Sequence, residues 1–138
     1  MNQPSDNALQ DLPAIGAARI SWAVERDVLT ARLHGCRENP VTMRRVWSTL
    51  RTLADRHGTV NVLALDEMDD DPFVGAERDA FLNELVSIGI GVRWAYVARS
   101  FDRVARYEAT QLDALEAGID VRVFGSRSDA EIWLRFGG

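Results

Sequence analysis

Lysine is missing from this chain: all 16 basic residues among its 138 are arginine. That excludes a Schiff-base amine, a P-loop phosphate lysine and the lysine that phospho-receiver domains set beside their aspartates. Cysteine occurs once, at Cys36, so neither an intramolecular disulfide nor a thiolate metal cluster can form, and a cytoplasmic location is expected. Basic residues are outnumbered by 21 acidic ones, and the net charge of −5 disfavours general affinity for nucleic acid. Long apolar runs are also lacking. The most apolar window, residues 81–98, contains Asn83, Glu84, Arg93 and two glycines, so no membrane span is expected. Residues 1–18 hold Pro4 and Pro13 but neither the basic start nor the apolar run of a signal peptide. They are expected to form an exposed arm ahead of one domain over residues 19–138.

What is present is patterned as strands alternating with helices. Ile20, Trp22 and Val24 alternate with polar or small residues up to Arg26 and Asp27, and a second run follows over residues 28–33, the signature of a hairpin. After Gly35 and Pro40, apolar residues recur at Met43, Val46, Trp47, Leu50, Leu53 and Ala54, with arginines opposite; this is an amphipathic helix stopped at Gly58. Residues 60–65 are apolar on both faces, as suits an interior parallel strand. An acidic loop and a helix bearing Phe81, Leu82, Leu85 and Val86 come next. The unit repeats with a strand over residues 92–98, a cap at Ser100 or Asp102, and a helix whose expected buried stripe is Val104, Ala105, Leu112 and Leu115. Finally, residues 121–124 form a strand, and Ser126 with Asp129 caps a helix that buries Ala130, Trp133 and Leu134. The order β-β-α-β-α-β-α-β-α implies an α/β fold with right-handed crossovers and a mostly parallel, five-stranded sheet.

Four segments carry a resemblance: Leu33, His34 and Gly35; residues 62–66; residues 94–100; and the closing strand and helix over 121–134. In this order and spacing the chain resembles the SpoIIAA-like domains, relatives of the STAS anti-sigma factor antagonists. The resemblance implies a superhelix of β-α turns and a regulatory, protein-binding role. In that family the loop after the third strand carries a phosphorylatable Ser in an Asp-Ser-x-Gly context. Residues 66–75 of this chain contain no Ser or Thr, so phosphorylation-dependent partner switching at that loop is not implied here.

Two constellations offer binding chemistry. Asp66, Glu67, Asp69, Asp70 and Asp71, followed by Pro72 and Phe73, leave the carboxyl end of a strand, where open α/β sheets place their sites. Such acids can offer oxygen ligands to a divalent cation, or form a solvated loop that favours the next helix N-terminus. Arg99, Ser100, Arg103 and Arg106 surround the start of the following helix, where they can hold an anion or pair with the acidic loop. His34 and Cys36 are spaced as a Cys-His pair but have no third member, and His57 suits a helix C-terminus. Among the aromatics Trp22, Trp47, Trp94, Tyr96, Trp133 and Phe136, most are expected to fill the core.

The expected function is therefore non-enzymatic and needs no cofactor. The loops 66–73 and 99–102 are expected to engage a protein partner, with a homodimer as one form of it. The alternatives are a carrier of a small apolar ligand or lipid, given that SpoIIAA-like domains are similar in fold to CRAL-TRIO lipid-carrying domains, and a metal-dependent hydrolase at the acidic loop.

Overall fold

The computed structural model describes residues 9–137. Residues 1–8 of the expected arm lie outside the described residues, and Gln10 and Asp11 of its remainder join the sheet as an edge strand. Strand β1 (Gln10–Asp11) pairs antiparallel with β2 (Ala18–Glu25), and Leu12 N–H donates to Ile20 O at 3.0 Å. The sheet therefore has six strands where five were expected. Ile15 explains the extension: it is buried with the core, and an isolated bridge to Ala18 turns the segment back onto the edge.

Strand β2 pairs antiparallel with β3 (Val28–Gly35) through a two-residue turn. Arg26 and Asp27 both take positive φ, 52° and 64°, as in the tight turns whose twist matches right-twisted strands. Next come α1 (Pro40–Arg56), β4 (Asn61–Asp66), α2 (Gly75–Gly89), β5 (Arg93–Val97), α3 (Phe101–Glu116), β6 (Asp120–Phe124) and α4 (Arg127–Phe136). Asn39 caps α1, its side chain accepting from Thr42 N–H, with Pro40 in the first turn where no partner for its nitrogen is needed. Strand order follows chain order from β1 to β6, and the pairings from β3 onward are parallel.

The period of two in β4 and β5 divides the core. Val62, Ala64, Trp94 and Tyr96 share a cluster with Val46, Trp47 and Leu50 of α1. Leu63, Leu65, Ala95 and Val97 point the other way, onto Ala130, Trp133 and Leu134 of α4. Ser126 accepts from Asp129 N–H at the start of α4, which is the cap the spacing predicts.

Two details of the helices differ from the periodic reading. Of the expected stripe Val104 is half-buried, but Ala105, Leu112 and Leu115 are exposed, and Val104 shares the inward face of α3 with Arg103, Tyr107, Thr110, Gln111 and Ala114, of which only Ala114 is fully buried. These positions share the helical period, so a second stripe, mostly polar, displaces the apolar one. Phe136, counted with the core aromatics, is also exposed. Among the described residues, no helix is long and apolar enough to cross a membrane.

Candidate functional site

The parallel register places Leu33 of β3 opposite Asp66, so two chain segments leave the carboxyl edge of the sheet side by side. Gly35 makes the first exit possible: its φ is +83°, and an added Cβ would lie 2.1 Å from Ala17 O. The turn that follows brings Arg37 back over the sheet end. Its side chain is 4% exposed and ion-paired to the fully buried carboxylate of Asp66. Around this pair the satisfaction of polar groups is close to complete. Met68 N–H donates to Asp66 Oδ1 at 2.9 Å, while the hydroxyls of Tyr96 and Tyr107 both donate to Oδ2. Arg37 Nη2 also donates to Tyr107 Oη at 2.7 Å, and Arg37 backbone N–H reaches both oxygens of Asp70 at 2.9 Å.

Burial sets the electrostatics of this cluster. It drives both phenols up, Tyr96 well above the ordinary tyrosine value and Tyr107 to about 12, and the adjacent carboxylate of Asp66 adds to both shifts. For Arg37, burial works to lower the pKa; the tyrosine oxygens and the Asp66 carboxylate more than offset it, and the guanidinium is held above its ordinary value.

The rest of the acidic loop is paired outward. Asp69 accepts from Arg99 Nη1 at 3.0 Å, and Asp71 lies 3.0 Å from Arg103 and 3.3 Å from Arg106. The two constellations of the sequence therefore meet, and they spend their charges on each other. Among the described residues, no group of three or more His, Cys, Asp or Glu is arranged to hold a metal ion. Ser100 occupies the N-cap position of α3 without a side-chain cap bond. On the opposite side of β3, His34 faces Glu67 at 3.5 Å, and Cys36 is a half-buried free thiol.

Beneath the loop lies a cavity of about 110 Å³, between the Trp94 and Tyr96 face of the sheet and helices α2 and α3. Phe73 is part of its wall, packed edge-on against Phe81 with ring centroids 5.5 Å apart. Trp47 and Trp94, 5.2 Å apart in a T-shaped pair, form another part, and Arg37, Arg78, Arg106 and Tyr107 line it as well. Of the residues singled out from the sequence, Asp66 belongs to the buried cluster, Asp69, Asp70, Asp71, Arg99 and Arg103 to the charged rim, Phe73 to the cavity wall, and Ser100 to none of these.

Arg37 and Tyr107 were missed. The one signal for Arg37 is a basic residue just past a strand end, beside a neighbouring strand that ends in Asp. Tyr107 gives a signal only when the polar positions of α3 are read as a face in their own right. Against known proteins, the chain matches no family model and has no significant match among curated proteins.

Proposed function

We propose that the chain is a non-enzymatic binding module of the SpoIIAA-like kind, holding a small apolar molecule between its sheet and helices α2 and α3. The observation that carries this reading is the cavity of about 110 Å³ lined by Trp47, Phe73, Phe81 and Trp94. Engineered apolar cavities of about 150 Å³ stay dry and take up benzene, so one ring is the scale of molecule that suits this space. A long acyl chain is too large for it, since pockets for drug-sized ligands run to roughly 300–1,000 Å³. Binding without chemistry is supported by the polar groups alongside, because Arg37, Asp66, Tyr96 and Tyr107 are committed to one another. The SpoIIAA-like assignment is supported by a hairpin followed by successive β-α turns in sequential strand order.

The four tryptophans supply the test. Trp47 and Trp94 line the cavity, whereas Trp22 and Trp133 do not. Titration of the full chain with ethylbenzene is expected to shift the indole N–H signals of Trp47 and Trp94 saturably and leave the other two in place. Ala114→Leu, which adds bulk at the wall, is expected to abolish the response. Absence of a saturable shift overturns the reading.

A second reading is favoured by a separate observation. Val74 and Phe101, at the ends of the loops 66–73 and 99–102, are 76% and 80% exposed while the charges beside them are paired internally. These loops then offer an apolar contact to a regulatory protein partner, a second copy of the chain included. Phe101→Ser is expected to abolish that association without unfolding the protein, and an unchanged complex in this variant removes the loop from the interface.

A further inference from the structure

One edge of the sheet ends at β6. Val123 N–H donates to Gln111 Oε1 at 2.7 Å and Val121 N–H to Ile119 O at 3.1 Å, so these amides are not offered to an added strand. Helices α3 and α4 flank this edge on opposite faces of the sheet: Tyr107 and Ala114 pack with Trp94 and Tyr96, and Ala130 and Trp133 with Ala95 and Val97. Both run against β6. Phe101 lies beside Gly125 at the carboxyl end of the strand, and α3 ends just ahead of Asp120. Gly137, at the end of α4, accepts from Arg93, whose register partner is Asp120.

Each helix carries exposed apolar residues toward this edge. Thr110 and Asp113 face Arg78 of α2, and by the helical period Phe101, Leu112 and Leu115 lie away from that side, all exposed. On α4, Trp133 stands against Phe124 and Arg122 of β6, and the exposed Ile132 and Phe136 extend that side outward. Charge is sorted between the two flanks. Glu108 and Glu116 of α3 are exposed, as are Arg122 of β6 and Arg135 of α4, and none of the four has an ion-pair partner among the described residues. The two arginines lie only over the rings of Trp133 and Phe136.

Symmetry decides what fits these flanks. A twofold axis along the β6 edge, parallel to the strand, exchanges the two faces of the sheet and keeps the strand direction. It sets α3 of one copy beside α4 of the other, twice over, with carboxylates toward guanidiniums. An axis perpendicular to the sheet would oppose α3 to α3, and acids to acids. We infer that the chain forms a homodimer along its β6 edges, in which Phe101, Leu112 and Leu115 pack against Ile132 and Phe136 of the partner subunit while Glu108 and Glu116 face the partner's Arg122 and Arg135. The inference rests on the protein-partner reading above, with which it shares Phe101, and names that partner as a second copy.

Sedimentation velocity of the full chain is expected to give a species of twice the 15.4 kDa chain mass, one that weakens as salt is raised. Glu108→Arg with Glu116→Arg, and separately Arg122→Glu with Arg135→Glu, are each expected to weaken it about a hundredfold, because each opposes like charges across the contact. Mixing the two variants is expected to restore the dimer, since every contact then joins unlike charges. If a charge reversal impairs folding, Leu115→Asp at an exposed position decides instead, and a dimer that persists in it overturns the inference. A chain that stays monomeric at millimolar concentration also overturns it, as does a dimer that survives both reversals. In that last case, loss of the dimer with Phe101→Ser leaves the loop reading standing by itself, whereas survival there removes the loop from the dimer as well.

Discussion

Arg37→Met is expected to destabilise the protein by about 3–5 kcal/mol, the cost of leaving a buried charge without its partner. Asp66 is the group left behind. It is almost fully buried and keeps the donors of Met68, Tyr96 and Tyr107, but hydrogen bonds from neutral groups do not replace a guanidinium in contact with the carboxylate. Methionine has a comparable stem, so the loss is electrostatic rather than a matter of volume. The paired change Arg37→Met with Asp66→Leu is expected to lie closer to the original protein than Arg37→Met alone, because it removes both desolvated charges together. Urea unfolding at neutral pH measures all three chains. A loss below about 1 kcal/mol for Arg37→Met, the range of an exposed ion pair, shows that water reaches the cluster and refutes this account.

Alkaline pH is expected to produce the second large effect. The chain has two tyrosines, and both stand in the same cluster. The Tyr107 pKa is raised from 10 to about 12, chiefly by burial and then by the Asp66 carboxylate, and Tyr96 is raised in the same sense. The folded state therefore holds these protons more tightly than the unfolded state. Their contribution to stability is fully present below pH 10 and is lost as pH rises through about 12. For Tyr107 a shift of this size corresponds to a loss on the order of 2–3 kcal/mol. Near-ultraviolet absorbance should show almost no tyrosinate at pH 10, where a free tyrosine is half ionised, followed by a sharp rise as the protein unfolds. Half-complete tyrosinate formation at pH 10 in a still-folded protein contradicts the buried cluster.

The fold was legible where one residue type repeats at one period. Met43, Val46, Trp47, Leu50 and Leu53 have no competing stripe, and Ser126 with Asp129 marks a cap independently of tertiary contacts. The reading went astray on α3 because two stripes share that helix. Ala105, Leu112 and Leu115 are the more apolar, but the neighbouring elements place an ion cluster and a cavity opposite Tyr107, Thr110 and Gln111, so the polar stripe faces inward. Similarly, the acidic loop was visible as a charged strand exit, yet composition cannot say which of its carboxylates is buried. Register decides that: Asp66 is still within β4, opposite Leu33, whereas Asp69 and Asp71 are beyond the strand. Arg37 lies in a non-periodic segment, 29 positions from its partner, and only the assembled sheet edge joins them.

Strand order that repeats chain order has a consequence for how this protein is made. A chain leaving the ribosome amino-terminus first presents β2 to β3, then β3 to β4, and each new strand meets an edge that already exists. No strand has to wait for a later one to be inserted between it and its neighbour. One face is different: Leu63, Leu65, Ala95 and Val97 stay uncovered until α4, which follows all six strands in the chain, closes over them. This ten-residue helix thus sets the moment at which that apolar face of the sheet is withdrawn from its surroundings.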